Sequence, residues 1–378
     1  MQPTQRVDRI ATLEASLEVA ARSWKLALTD GRRLRPAVLD VKASDLWCRL
    51  QELLARLQEF KRKWGLAASC RVTLIYEAGQ DGFWIARALQ ANGIQVLVVD
   101  AASIPVPRQA RRAKTDRLDA LKLLDVLRAW LRGERCGVRM VHVPSEQAEA
   151  LRQMPRERGL LQKEVQQHRD RCRKLLRLCG CVQEIDASFA ERLTAGQVRC
   201  ADGRPLPEQL WERLLRECER LELARCQLAG LERTLLEQLP PNVQRCIATL
   251  ARLKGIGWVG AMRLVLELFW RDFSNRRQVA ACVGVVPQPY DSGQSHVDQG
   301  ISKQGNRRVR ALLIEMAWMW LKYQPGSALA QWFARRTAGA AKRGKRIAIV
   351  AVARRLAIDV WRCLRDGVIP AGAELKNA

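Results

Sequence analysis

Asp116 and Asp119 stand three residues apart at the start of an apolar-periodic run, Leu118, Leu121, Leu124 and Leu127. The run predicts a helix, and the spacing puts both carboxylates on one helical face. Like charges so placed repel by about 0.2–0.5 kcal/mol, a cost that a shared divalent cation would more than offset. For the pair alone, the plainer reading is a solvated first turn with acids favoured by the helix dipole. Two more acids bear on the choice. Glu18 falls in a predicted first strand, and Glu77 ends a predicted fourth strand in Tyr76-Glu77-Ala78-Gly79. Taken singly, Glu18 reads as a surface strand residue and Glu77 as a loop acid paired with an arginine. Together, four carboxylates could hold two divalent ions. Oxygen-only ligands point to magnesium or manganese. Two such ions can activate a nucleophile and stabilise the leaving oxygen of a phosphodiester.

The elements that must position these acids alternate like an α/β domain. Glu14 to Val19 and Trp24 to Thr29 read as strands, Asp30-Gly31 as a hairpin signal, and Arg35 to Val41 as a third strand. Leu46 to Trp64 reads as a helix, Arg71 to Tyr76 as a buried strand, Gly82 to Ala91 as a helix and Gln95 to Val99 as another buried strand. A basic loop follows, and then the helix bearing Asp116 and Asp119. Three strands in hairpin order, then helix, strand, helix, strand, helix, is the order of an RNase H-like sheet. In such a sheet the first strand and the end of the fourth lie side by side.

The net charge of +26 over 378 residues exceeds what an enzyme of small molecules needs and points to a polyanionic partner, nucleic acid before membrane. No run is apolar enough to span a bilayer, and no secretory signal pattern opens the chain. The expectation is a cytoplasmic protein. Its 12 cysteines are scattered, often on apolar helix faces, and read as reduced core thiols. Cys179-Gly-Cys181 matches no standard zinc pair.

From Ser145 to Leu178 the chain is helical and highly charged, with a heptad seam at Leu161, Val165, His168, Cys172, Leu175 and Cys179. Pro155 is expected to kink or restart that helix, and His168 to be a packed core histidine. A second stripe runs from Leu214 through Cys218, Leu221, Ala224, Leu228 and Leu231 to Leu235. The two helices predict an antiparallel hairpin or an intermolecular coiled coil. Beyond Pro240-Pro241, Leu253-Lys254-Gly255-Ile256-Gly257 resembles a helix-hairpin-helix turn that offers backbone N–H groups to a duplex backbone. Asp291-Ser292-Gly293 reads as a turn, and turn serines are usually structural. Yet Lys303, Arg307, Arg308 and Arg310 follow closely, and such cations could hold a scissile phosphate before a serine hydroxyl. Residues 301–378 hold 16 Lys and Arg against 4 Asp and Glu, a net +12. Within them, Lys342-Arg343-Gly344-Lys345-Arg346 reads as a phosphate-contacting run or a mobile loop. Trp318, Trp320, Trp332 and Trp361 read as core and interface aromatics.

These segments together resemble the DEDD-type transposases of bacterial insertion sequences, the one-ten family and within it the eleven-eleven group. The resemblance is carried by Leu17-Glu18-Val19, Tyr76-Glu77-Ala78-Gly79-Gln80-Asp81-Gly82-Phe83-Trp84, Val98-Val99-Asp100-Ala101-Ala102-Ser103-Ile104 and Arg111-Arg112-Ala113-Lys114-Thr115-Asp116-Arg117-Leu118-Asp119. Farther on it is carried by Pro289-Tyr290-Asp291-Ser292-Gly293, Gly300-Ile301-Ser302-Lys303-Gln304-Gly305-Asn306, Trp318-Met319-Trp320 and Gln324-Pro325-Gly326-Ser327. It covers nearly the whole chain, in order. Many members carry Asp at the first acidic position with a Ser-Lys pair soon after. This chain has Glu18 followed by Val19-Ala20-Ala21-Arg22.

The resemblance implies a RuvC-like N-terminal domain over 1–144 whose metal-binding tetrad is Glu18, Glu77, Asp116 and Asp119. It implies a coiled-coil or helical linker over 145–240. It also implies a mainly helical C-terminal transposase domain over 241–378 with Ser292 as catalytic serine. The fold class expected is therefore α/β plus all-α. Magnesium or manganese would be the metal, and a structured bridge RNA the guide to donor and target DNA. Protomers would self-associate, as dimer to tetramer. Arg111, Arg112, Lys114, Lys303, Arg307, Arg308, Arg310, Lys342, Arg343, Lys345 and Arg346 are the candidate nucleic-acid contacts. The expected activity is a DNA recombinase that moves an insertion sequence. The alternatives are a metal-dependent junction endonuclease without a covalent serine intermediate and a catalytically dead nucleic-acid-binding protein.

Overall fold

A computed structural model describes residues 12–79, 82–104, 115–135, 137–292 and 295–376. Arg111, Arg112 and Lys114 lie outside the described residues. The chain divides into two compact units, Met1–Glu146 and Gln147–Ala378.

The first unit runs β1 (Leu13–Val19), β2 (Trp24–Thr29), β3 (Ala37–Val41), α1 (Leu46–Lys63), β4 (Val72–Glu77), α2 (Trp84–Ala91), β5 (Gln95–Val99) and α3 (Asp116–Leu131). Its sheet has the order β3-β2-β1-β4-β5. β1–β2 and β2–β3 pair antiparallel, whereas β1–β4 and β4–β5 pair parallel. This is the expected strand order, with most boundaries within two residues of those read from the sequence. Alternation along β1 explains its place at the centre of the sheet. Leu13, Ala15 and Leu17 point to one face, where they join Leu50, Leu53 and Leu57 of α1 and Ile85 and Leu89 of α2. On the opposite face, Ala27, Ile75 and Val99 pack against Ala120, Leu123, Leu124 and Leu127 of α3. Asp45 caps α1 by accepting from the Cys48 N–H at 2.8 Å, and Thr115 caps α3 by accepting from the Leu118 N–H at 3.3 Å.

The second unit is helical apart from one hairpin. It holds α4 (Glu146–Leu151), α5 (Gln153–Arg177), α6 (Phe189–Thr194), α7 (Glu208–Thr234), α8 (Pro241–Ala251), α9 (Trp258–Glu267), α10 (Arg276–Val283), β6 (Pro287–Ser292), β7 (Ser295–Ile301), α11 (Arg307–Tyr323), α12 (Ala328–Thr337) and α13 (Lys342–Asp366). α4 begins at the boundary between the units. Pro155 sits in the first turn of α5, where its missing N–H costs nothing, and the helix restarts after Arg152.

α5 and α7 pack against each other within one chain. Arg158 pairs with Glu232 at 2.6 Å, and His168 Nδ1 lies 2.6 Å from Glu217. Partner numbers fall as α5 numbers rise, so the two helices form an antiparallel hairpin. His168 is therefore a link between the helices rather than a purely packed ring. Cys172, Leu176, Cys181, Phe189, Leu193, Leu214 and Cys218 fill a small core there, with α6 closing it. A larger core joins α8 to α13, with Leu264, Leu313, Trp320, Val352 and Leu356 fully buried. Trp361 is buried as well, whereas Trp318 is exposed.

Two local expectations are corrected. Lys342 to Arg346 is not a loop but the opening of α13, because Ala348, Ile349, Val352 and Ala353 behind it continue an apolar face into the core. Asp291 and Ser292 are the last residues of β6 rather than turn residues, since β6 pairs with β7 up to Ser292↔Ser295. Among the described residues, no helix is long and apolar enough to cross a membrane.

Candidate active site

The strand β1 lays a row of polar side chains along α3. Glu14 reaches Arg128 at 3.7 Å, near the end of the helix. Ser16, fully buried, donates its hydroxyl to the Ala120 carbonyl at 2.6 Å, near the beginning. The next residue on that face is Glu18, one strand repeat closer to the first turn of α3. Glu77 ends the adjacent parallel strand. The register pairs Leu17 with Tyr76, so Glu18 and Glu77 follow side by side. Both line one small cleft of about 80 Å³ with Val19, Tyr76 and Gly79.

Asp116 and Asp119 occupy the first turn of α3, Asp116 exposed and Asp119 half-buried. The structure thus brings Glu18 and Glu77 into one cleft and places the two aspartates on one turn of the helix that packs on the same sheet face. Among the described residues, no three Asp, Glu, His or Cys side chains are grouped to hold one metal ion. The donor chemistry is all carboxylate oxygen, which suits a hard divalent cation.

Sequence reading did not single out Ser16, Lys25 or Asp40. Ser16 locks β1 to α3. Lys25 sits opposite Glu18 in the β1–β2 register and forms an ion pair with Asp40 on the next strand. The hydrogen bond from Lys25 holds the Asp40 carboxyl below its ordinary pKa. The signal available in the sequence was alternation, since Glu14, Ser16 and Glu18 share one face of a strand whose other face is apolar.

In the second unit, the β6–β7 hairpin ending at Ser292 rises from a closely fitted base. The Ser302 N–H donates to Val286 O at 2.9 Å, Lys303 N–H to Gly284 O at 3.1 Å and Asn306 N–H to Cys282 O at 2.8 Å. Arg310 Nη1 donates to Val283 O at 3.0 Å and Lys303 O at 3.1 Å. Arg310 thus clamps this base. Gly284 and Gly305 are required by close approach. A Cβ on either would stand 2.4 Å from a carbonyl oxygen, that of Gln304 or Cys282. Lys303 has φ of 54° and is the one non-glycine residue with positive φ among the described residues.

Asn306 caps α11, accepting from Arg308 N–H at 3.0 Å and Val309 N–H at 3.3 Å. Its Nδ2 donates to Glu267 Oε2 at 3.2 Å. Arg307 and Arg308 open α11, and Lys342, Arg343, Lys345 and Arg346 open α13, all exposed. Neither helix has an acid in its first turn. Cations at a helix N-terminus oppose the helix dipole, a cost that a bound polyanion reverses.

Residues 41–180 match a family model described as a transposase, and residues 247–331 match the model of the transposase IS116/IS110/IS902 family. A Sinorhizobium fredii protein named as the transposase y4rJ is 39% identical over 389 residues, covering 98% of this chain and 96% of its own. The chain belongs to the IS116/IS110/IS902 family of transposases. A Pseudomonas aeruginosa protein named as a family 20 transposase is 28% identical to this transposase over 274 residues, 71% of this chain and 76% of its own. The transposase for insertion sequence element IS1111A of Coxiella burnetii is 31% identical over 115 residues, 30% of this chain and 31% of its own. This transposase is accordingly an enzyme of DNA transposition, and DNA is its substrate. Its DEDD nuclease-like N-terminal part implies a divalent metal cofactor.

Proposed function

We propose that this transposase moves an insertion sequence by cutting and rejoining DNA strands with two sets of groups. Glu18, Glu77, Asp116 and Asp119 would hold divalent cations, magnesium before manganese, and Ser292 would be the nucleophile. The observation that carries the first half is the shared cleft of Glu18 and Glu77 on the sheet face against which α3 packs. A divalent cation at those carboxylates would polarise a scissile phosphate and lower the pKa of an attacking hydroxyl. In the serine step the Oγ–P bond forms as a P–O bond to one deoxyribose breaks. The serine proton leaves to a carboxylate or to solvent, and the departing strand takes up a proton as a free hydroxyl. The phosphodiester energy is kept in phosphoserine, so a second strand's hydroxyl can reverse the step and rejoin.

We further propose three working parts, 1–144, 145–240 and 241–378, acting in a dimer or tetramer guided by a structured RNA. A charge of +26 and no evident set of base-reading side chains favour delegating sequence choice to base pairing. Exposed Lys303, Arg307, Arg308, Lys342, Arg343, Lys345 and Arg346, together with Arg111, Arg112 and Lys114, would contact backbone phosphates.

The test is Asp116→Asn and Asp119→Asn assayed for strand cleavage and for DNA binding in magnesium. Loss of cleavage by two orders of magnitude or more, with binding within a few-fold of wild type, is expected. Full cleavage by both variants overturns the metal assignment. RNA-free protein that recombines its sites at full rate overturns the guide.

A further inference from the structure

Within the second unit, the start of α5, the α8–α9 turn and one side of α11 enclose a cleft of about 660 Å³. That is the size of a pocket for an organic ligand, room for about one or two nucleotides. Its floor is apolar, made by Val259, Leu312, Met316 and Met319. Its walls are low because Gly159, Gly257 and Gly260 carry no side chain there. A Cβ at Gly159 or Gly257 would meet nothing within 4 Å.

Charge around the cleft is uneven. Four arginines line it, but Arg156 is held by Glu267 and Arg158 by Glu232. Arg263 and Arg308 have no ion-pair partner among the described residues, and Arg308 is exposed. At the same rim, α9 starts at Gly257 with no side chain capping its first N–H groups. Glu315 is the one other acid in the lining. The cleft therefore joins an apolar lining to two guanidinium groups without an ion-pair partner among the described residues and to a helix start that no side chain caps.

We propose that this cleft seats a short run of unpaired DNA, with a base on the Val259–Met316–Met319 floor and its phosphates on Arg263 and Arg308. A duplex shows its phosphates and sugars to a protein surface and keeps its base faces stacked, so an apolar floor would gain nothing from it. An unpaired base has a free face, and methionine sulfur is a favourable contact for a ring. A strand-exchanging enzyme holds DNA unpaired beside each cut. The proposal rests on the recombinase reading in that respect and gives the reading a place to hold the separated strand.

The test uses full-length transposase and a short thymidine oligodeoxynucleotide carrying a photo-crosslinkable base, with a duplex and an RNA of equal length beside it. Crosslinks are expected within 255–263 or 308–319. Arg263→Ala with Arg308→Ala should weaken single-strand binding about tenfold and lower the salt slope by about 0.7 for each phosphate no longer neutralised. Gly159→Phe fills the cleft from a helical position where any residue other than proline is a better helix former than glycine. It should keep the melting temperature, bind duplex as wild type does and lose single-strand affinity by a similar factor. Crosslinks elsewhere with unchanged single-strand binding by Gly159→Phe overturn the seat and leave the recombinase reading standing. Tighter crosslinking of the RNA at the same peptides overturns the DNA assignment. Wild type that binds neither single strand nor duplex overturns the seat and the recombinase reading together.

Discussion

Glu267 accepts both arms of the Arg156 guanidinium, Nε at 2.7 Å and Nη2 at 3.0 Å, across 111 residues of chain. Arg152 stands at 3.7 Å from the same carboxylate, and Asn306 donates to it from the N-cap of α11. One buried acid therefore ties the base of the α5–α7 hairpin to the loop beneath the strand ending at Ser292. Burial alone would raise the Glu267 pKa. The hydrogen bonds from Arg156 and Asn306 and the charges of Arg156 and Arg152 outweigh it and hold the pKa below an ordinary glutamate's.

Removing Glu267 leaves two arginines facing each other in a partly buried site. Glu267→Ala should destabilise the protein by about 3–5 kcal/mol, and Glu267→Gln by less because Asn306 keeps a partner. The pH sign follows from the lowered folded pKa. Stability from this site is fully present above the unfolded value, about 4.3, and is lost as pH falls through the lower folded value. Denaturant unfolding from pH 7 downward should show wild type losing this increment below about pH 4.3, while Glu267→Gln lacks it throughout. Parallel curves for the two proteins would remove Glu267 from that role.

The base of the β6–β7 hairpin separates strain from charge. Gly305→Ala puts a Cβ against the Cys282 carbonyl at φ of 133° and should cost at least about 1–3 kcal/mol. Lys303→Gly removes a left-handed side-chain residue and should leave stability unchanged or raise it by up to about 1 kcal/mol. If Lys303 meets a phosphate, the same change weakens DNA binding and lowers the salt slope. Thermal melts and salt titrations of the two variants read both effects. A Lys303→Gly protein that melts well below wild type would show that the lysine holds the loop instead.

At the start of α13, charge and dipole conflict. Replacing Lys342 and Arg343 with alanine should stabilise the free protein by about 0.3–1 kcal/mol for each charge removed. It should also weaken duplex binding, with a salt slope lower by about 0.9 for each phosphate that the two side chains neutralise in wild type. Equal binding at every salt concentration would make the run a solvated helix end.

The sheet was legible because β1 to β5 alternate or run apolar between strong turn signals such as Asp30-Gly31, and because strand order follows chain order in hairpins and crossovers. The acids were legible as types at strand and helix ends. The Glu267 site was not, because Arg156 and Asn306 lie 111 and 39 residues away and only packing brings them together. Asp291 and Gly293 made the Ser292 segment read as a turn, whereas β6 stays paired with β7 through Asp291↔His296 and Ser292↔Ser295. Pro287 and Pro289 are tolerated in β6 because each strand of a two-stranded ribbon has an open edge, where a residue lacking an N–H costs no ladder bond. Lys342 to Arg346 misled through Gly344 and its charge density, which mask a helix fixed by the apolar face behind it.

Ser292 and the four acids belong to separate compact units of one chain, 1–146 and 147–378. If a working site takes its serine from one protomer and its acids from another, inactive variants can complement. Ser292→Ala mixed with Asp116→Asn should then restore part of the strand cleavage that neither shows alone. About a quarter of wild-type activity is the ceiling if protomers mix at random and each site draws on two chains. Trapped wild-type reactions should carry DNA covalently bound to a peptide containing Ser292, because a serine ester of phosphate outlasts the departing strand under denaturing conditions. A trapped adduct without complementation would keep the serine and place all groups in one chain. Cleavage by Ser292→Ala at the wild-type rate, with no adduct, would remove the serine and leave water as the nucleophile at the carboxylates.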